Sequence, residues 1–176
     1  VITNIAAKTR NMFFHRSAIQ LATRAPAMTE GGEWDDEVMI VLGDTVCDYN
    51  VKDVLNSKIS QIGVRKVDDP RGFGVAELND KDMVVKMVEK PLIPKSNMAI
   101  VGIYYIKETA AMYAALNRHM NDRADENGEY HFTNALQHMI EEGIPLQAFR
   151  VNNWFDCGKK ETLLSTNAIL LKQMED

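Results

Sequence analysis

Cysteine is nearly missing from this 176-residue chain, and the two present, Cys47 and Cys157, stand in neither a metal-ligand nor a redox spacing. That scarcity excludes a disulfide scaffold and a zinc module. It fits free thiols in a reducing, cytoplasmic setting better than a single long-range disulfide. No apolar run approaches the roughly 18 residues of a membrane-spanning helix, so no segment is expected to cross or bind a membrane. Residues 1–10 hold no apolar stretch followed by small residues, and so no legible secretory signal. Lysine and arginine are nowhere dense and the net charge is −5, which argues against nucleic acid as a partner. Glycine is absent before Gly31, and the chain opens on Val1 rather than Met, so a preceding segment is expected.

What remains is the composition of a folded domain, 45% hydrophobic and 26% charged. Residues 1–176 are expected to form one domain, the larger C-terminal part of an enzyme domain, with a substantial core. Ala18, Ile19 and Ala22 suggest a helix over 15–25, stopped by Pro26. Val38 to Leu42 is a continuous apolar run ending at Gly43-Asp44. Its length and β-branched residues predict a strand covered on both faces, as in a parallel sheet between helices. Asn50 and Asp53 suggest a short helix, and Ile62 and Val64 a strand with one wet face. Residues 68–72 predict a turn, and 73–78 and 83–88 two strands joined at Asn79-Asp80. A strand over 98–106 and a helix over 107–119 follow. Asn134 and Gln137 make a capping-box pattern before a helix closed by Gly143 and Pro145. A strand over 146–151 and a last helix, with Leu164, Ala168 and Leu171 on one face, complete the chain. The expected class is α/β: a mixed, mainly parallel central sheet flanked by helices.

Ligands of open α/β sheets gather beyond the carboxyl ends of parallel strands. Asp44 stands at such an end, where a carboxylate suits Mg²⁺ shared with substrate phosphates. Capping of the turn or of the next helix would equally account for that aspartate taken alone. Asp156, just before the last helix, could likewise serve only the helix dipole. Together, two carboxylates from two strand ends could hold one Mg²⁺ bridging the phosphates of two substrates. A transfer of that kind depends on position and charge, so no nucleophilic side chain is required. Glu89-Lys90-Pro91 by itself is an ordinary solvated strand end. His15, His119, His131 and His138 show no metal spacing and are taken as surface or helix residues, and the ten methionines as core filler.

Six segments in order resemble the sugar nucleotidyltransferase family, nearest to glucose-1-phosphate thymidylyltransferase-like enzymes. They are Val41-Leu42-Gly43-Asp44, Asp69-Pro70 with Phe73-Gly74-Val75, Val88-Glu89-Lys90-Pro91, Ala99 to Tyr104, Gly128 to Asn134, and Trp154 to Gly158. The resemblance implies a Rossmann-like nucleotidyltransferase fold, here incomplete at its N-terminus. It implies a reaction between a sugar 1-phosphate, nearest to glucose 1-phosphate, and dTTP or UTP, giving a nucleotide sugar and pyrophosphate. Asp44 and Asp156 resemble the metal-binding aspartates, for Mg²⁺. Lys90 would pair with the sugar phosphate, so Asp44, Asp156 and Lys90 form the implied catalytic set. Gly74, Glu89, Gly102, Tyr104, Glu129 and Thr133 resemble residues of the sugar pocket. Asn134 stands where many members carry Asp, and Cys157 and Lys159 depart from the usual ending.

The family also opens on a glycine-rich loop bearing an Arg, followed by a Pro-Lys pair, which grips the triphosphate. Nothing before Gly31 resembles it, and Lys8, Arg10 and Arg16 are not comparably arranged. The chain alone is therefore expected to be inactive, and to self-associate through strand edges and apolar surface left around Val38 to Leu42. The alternative is a non-catalytic module that binds sugar nucleotides and regulates another subunit; retention of both aspartates favours the enzyme.

Overall fold

The structure, a computed structural model, describes residues 19–21, 37–121, 129–158 and 160–173. The strands are β1 (Ile19–Leu21), β2 (Val38–Leu42), β3 (Thr45–Cys47), β4 (Ser60–Lys66), β5 (Gly74–Leu78), β6 (Val84–Glu89), β7 (Met98–Ile106), β8 (Leu146–Arg150) and β9 (Trp154–Asp156). The helices are α1 (Val51–Leu55), α2 (Thr109–Asn121), α3 (Phe132–Glu141) and α4 (Lys160–Gln173). The main sheet runs β1-β2-β7-β4-β8, and the β5–β6 hairpin joins it through β7. β3 and β9 form a separate two-stranded ribbon.

β7 organises the molecule. Residues 99–106 are all buried, because alternate side chains enter two different cores. Ile100, Tyr104 and Ile106 pack with Val38, Ile40, Ile62 and Val64 beneath α2 and α3. Val101, Ile103 and Tyr105 pack on the other face with Met39, α1 through Val54, and Trp154 of the ribbon. Leu136 and Met139 of α3 are fully buried, each stabilising by about 2 kcal/mol.

The mixed α/β architecture is as expected, but the strand directions are not mainly parallel. Among the described residues, β1–β2, β2–β7, β4–β7, β5–β6, β5–β7 and β3–β9 are antiparallel, and β4–β8 alone is parallel. An unbroken apolar run reports two covered faces, and an antiparallel strand between two cores needs that as much as a parallel one. The same physics overturns the wet face expected of β4, whose Gly63 lies against Val101, Ile103 and Phe149.

Three further differences are local. Ile19–Leu21 is a strand paired with Leu42–Ile40, not part of a helix; the rest of the 15–25 segment lies outside the described residues. That pairing covers one edge of β2 from Ile40 to Leu42 and β7 pairs along the other from Val38 to Val41, so the second half of the run is not the bare edge expected. Finally, α3 begins one turn earlier than the capping-box pattern, with His131 at its N-cap. Gln137 instead reaches the sheet, its Oε1 accepting the Met87 N–H at 2.8 Å.

Candidate active site

Six chain segments open a cavity of about 590 Å³ beside the middle of β7, a volume in the range of small-molecule sites. Its floor contains Gly102, at φ +82°. A Cβ there would stand 2.8 Å from Leu42 Cδ1, so only glycine serves both the backbone and the close approach of β2. Thr45 pins the same place, donating its hydroxyl to the Val101 carbonyl at 2.8 Å.

One wall is the β3–β9 ribbon. The Gly43-Asp44 turn folds the chain from β2 into β3, and Thr45 pairs with Asp156. The Cys157 N–H donates to the Asp44 carbonyl at 2.8 Å, which ties the two aspartate segments together. Gly158 marks their meeting point: a Cβ there would lie 3.0 Å from Asp156 Oδ1 and 3.4 Å from Asp44 Oδ2. Two residues more than a hundred positions apart thus present carboxylates to one spot.

The opposite wall comes from the end of β6 and the start of α3. Thr133 donates to Glu89 Oε2 at 2.7 Å, fixing that carboxylate. Glu89 Oε1 faces Lys90 Nζ and His131 Nδ1, each at 3.9 Å. Gly74 leaves this pair room, since a Cβ would stand 3.0 Å from both Glu89 Oε2 and Thr133 Oγ1. Lys90 adopts φ +40°, a conformation costing a non-glycine residue about 1–2 kcal/mol. Its N–H donates to the Phe73 carbonyl at 3.1 Å, holding this turn against the β5 segment. The Tyr104 phenol stays neutral: burial pushes its pKa far up, with the Glu89 and Asp44 charges adding to the effect.

All the residues singled out in the sequence (Asp44, Gly74, Glu89, Lys90, Gly102, Tyr104, Glu129, Thr133 and Asp156) line this one cavity. So do residues that stand inside the motif segments but were given no role there: His131, Tyr130, Phe132 and the Phe73–Trp154 pair, whose ring centroids are 4.9 Å apart. Four carboxylates, those of Asp44, Glu89, Glu129 and Asp156, line the space with Lys90 and His131. A phosphorylated ligand would meet net repulsion there unless a cation entered with it. Asp44 and Asp156 fit Mg²⁺, which takes oxygen ligands and is commonly held by one or two carboxylates with substrate phosphates. Among the described residues no cluster of three or more His, Cys, Asp or Glu offers a fuller protein cage.

The family model for nucleotidyl transferases matches residues 19–173. The chain belongs to that family. A glucose-1-phosphate thymidylyltransferase of Streptomyces antibioticus is 34% identical over 151 residues, covering 80% of this chain and 40% of the relative. The bifunctional protein GlmU of Methanocaldococcus jannaschii is 31% identical over 144 residues, covering 80% of this chain and 33% of its own length. The chain therefore spans well under half of these curated relatives. A Bacillus anthracis structure assigned as a glucose-1-phosphate thymidylyltransferase, in complex with sucrose, superposes with a TM-score of 0.62 at 26% identity, over 77% of this chain and 55% of that one. The nucleotidyl transferase match takes in the whole cavity lining, from Leu42 to Gly158.

Proposed function

We propose that the chain forms the sugar-phosphate side of a sugar-1-phosphate nucleotidyltransferase, with glucose 1-phosphate as the sugar substrate and dTTP or UTP as the nucleotide. The observation that carries this is the facing of the Asp44–Asp156 pair and the Glu89–Thr133 pair across one cavity. Glu89 Oε1 accepts from sugar hydroxyls while Thr133 holds Oε2. Gly74, Gly102, Tyr104 and Glu129 shape the rest of the sugar pocket. Lys90 places a positive charge beside the sugar phosphate. Mg²⁺ held by Asp44 and Asp156 would supply neutralisation of phosphate charge. A phosphate oxygen of the sugar attacks the α-phosphorus of the triphosphate in line, a new P–O bond forms, and the bond to pyrophosphate breaks. Orientation and electrostatics drive this transfer, and no side chain becomes covalently linked.

Calorimetric titration with glucose 1-phosphate, with and without Mg²⁺, tests the assignment. Metal-dependent binding is expected, and Asp44→Ala or Asp156→Ala should weaken it by about ten-fold or more, the effect of losing a charge-assisted contact. Binding unaffected by either substitution would refute the metal assignment. The same samples given dTTP or UTP should release little pyrophosphate, because no glycine precedes Gly31 to build a triphosphate loop. The second candidate is a sugar-nucleotide-binding module without turnover; brisk pyrophosphate release would eliminate it. We also take the chain to self-associate, with the exposed Leu163, Leu164 and Leu171 of α4 as the surface.

A further inference from the structure

His131 occupies the N-cap of α3, a position favouring Ser, Thr, Asn or Asp, yet its ring makes no capping hydrogen bond. The imidazole instead lies between two glutamates that line the cavity. Nδ1 stands 3.9 Å from Glu89 Oε1, and Nε2 stands 3.9 Å from Glu129 Oε2. The ring is mostly shielded, 18% exposed, so these carboxylates are its close charged neighbours. An imidazolium donates from both nitrogens; a neutral ring donates from one and turns a lone pair towards the other carboxylate. We propose that His131 is a positioning residue of the sugar subsite, clasping Glu89 to Glu129 when protonated and loosening them when neutral. The inference rests on the sugar-phosphate assignment above.

The geometry gives the clasp a direct consequence. Thr133 already fixes Glu89 Oε2, so Oε1 is the oxygen left to meet a ligand, and His131 addresses that same oxygen. The titratable and charged groups that line the cavity with the ring are Glu89 at the end of β6, Lys90 just after it, Glu129 and Tyr130 from its own segment, Tyr104 from β7, Asp44 before β3 and Asp156 in β9. Protonation joins two carboxylates that otherwise repel each other and adds positive charge to an acidic pocket. Both effects tighten sugar-phosphate binding at lower pH.

Calorimetry of glucose 1-phosphate with Mg²⁺, from pH 6 to pH 8, compares the unaltered chain with His131→Gln and His131→Phe. The phosphate itself titrates in this window, so the quantity read is the ratio of affinities at each pH. That ratio, unaltered over His131→Gln, should rise about three- to five-fold from pH 8 to pH 6, the size expected of a partly exposed ion pair. His131→Phe should weaken binding at both ends. Circular dichroism melting of each variant confirms that folding is retained, and a purely structural histidine would shift melting while leaving the ratio flat. A pH-independent ratio overturns the clasp while leaving the sugar-phosphate assignment standing. Absence of binding by the unaltered chain overturns both.

Discussion

Glycine and lysine at unusual backbone angles carry much of the site. Gly102 is the sharpest case, because positive φ and a 2.8 Å approach to Leu42 coincide there. Gly102→Ala should cost about 2–4 kcal/mol of stability, from left-handed strain plus overpacking, and a urea unfolding midpoint measures it. The roles of such residues were partly legible: Asp44, Glu89, Lys90 and Asp156 stand in recognisable motifs. His131 also lies in a motif segment, Gly128 to Asn134, but its role was not legible, since a histidine with no repeated spacing looks like any surface residue. Its partners, Glu89 and Glu129, are 42 and 2 positions away, and only folding brings both to one ring. Cys47 behaves as the composition suggested. It is a free thiol, and burial, with Asp48 nearby, pushes its pKa up to about 11, so it stays protonated and unreactive at neutral pH.

At the scale of elements, periodicity and turn residues were dependable guides. β7 spans Met98–Ile106 as the apolar run predicts, and Asn50 caps α1 by accepting the Lys52 N–H at 3.1 Å. The failure at α3 is instructive. Asn134 and Gln137 have the right spacing for a cap, but Phe132 finds Tyr104 at 4.9 Å and draws the helix start earlier. Gln137 is thereby freed to satisfy the N–H of Met87, a residue only 2% exposed. Gln137→Ala should destabilise by about 1–3 kcal/mol, the cost of a buried donor left without a protein partner. Faster hydrogen exchange at the Met87 amide would locate the effect; unchanged exchange there would show that this contact does not bind α3 to β6.

For the whole molecule, the exposed apolar surface is displaced from where the sequence suggested. Val38 to Ile40 of β2 are buried, whereas Leu164 and Leu171, expected on one face of α4, are 61% and 54% exposed. Light scattering should report a mass above that of a monomer, lowered by Leu164→Glu with Leu171→Glu. A monomer before and after the substitutions would dispose of self-association through this helix. The substitutions lie outside the cavity, so sugar-phosphate binding should survive them.

The sequence by itself determined which segments form strands and helices over most of the described chain, because burial period, turn residues and caps act within a few positions. It also held the motif residues of the site in a recognisable order. Tertiary structure alone decided the strand directions, since a strand with both faces covered has the same apolar run whichever way its neighbours point. It likewise decided the meeting of Asp44 with Asp156 and the placement of His131 between two glutamates. Those arrangements depend on the pairing of β3 with β9 and on the entry of α3 beside β6, contacts between residues distant in the chain that no local pattern encodes.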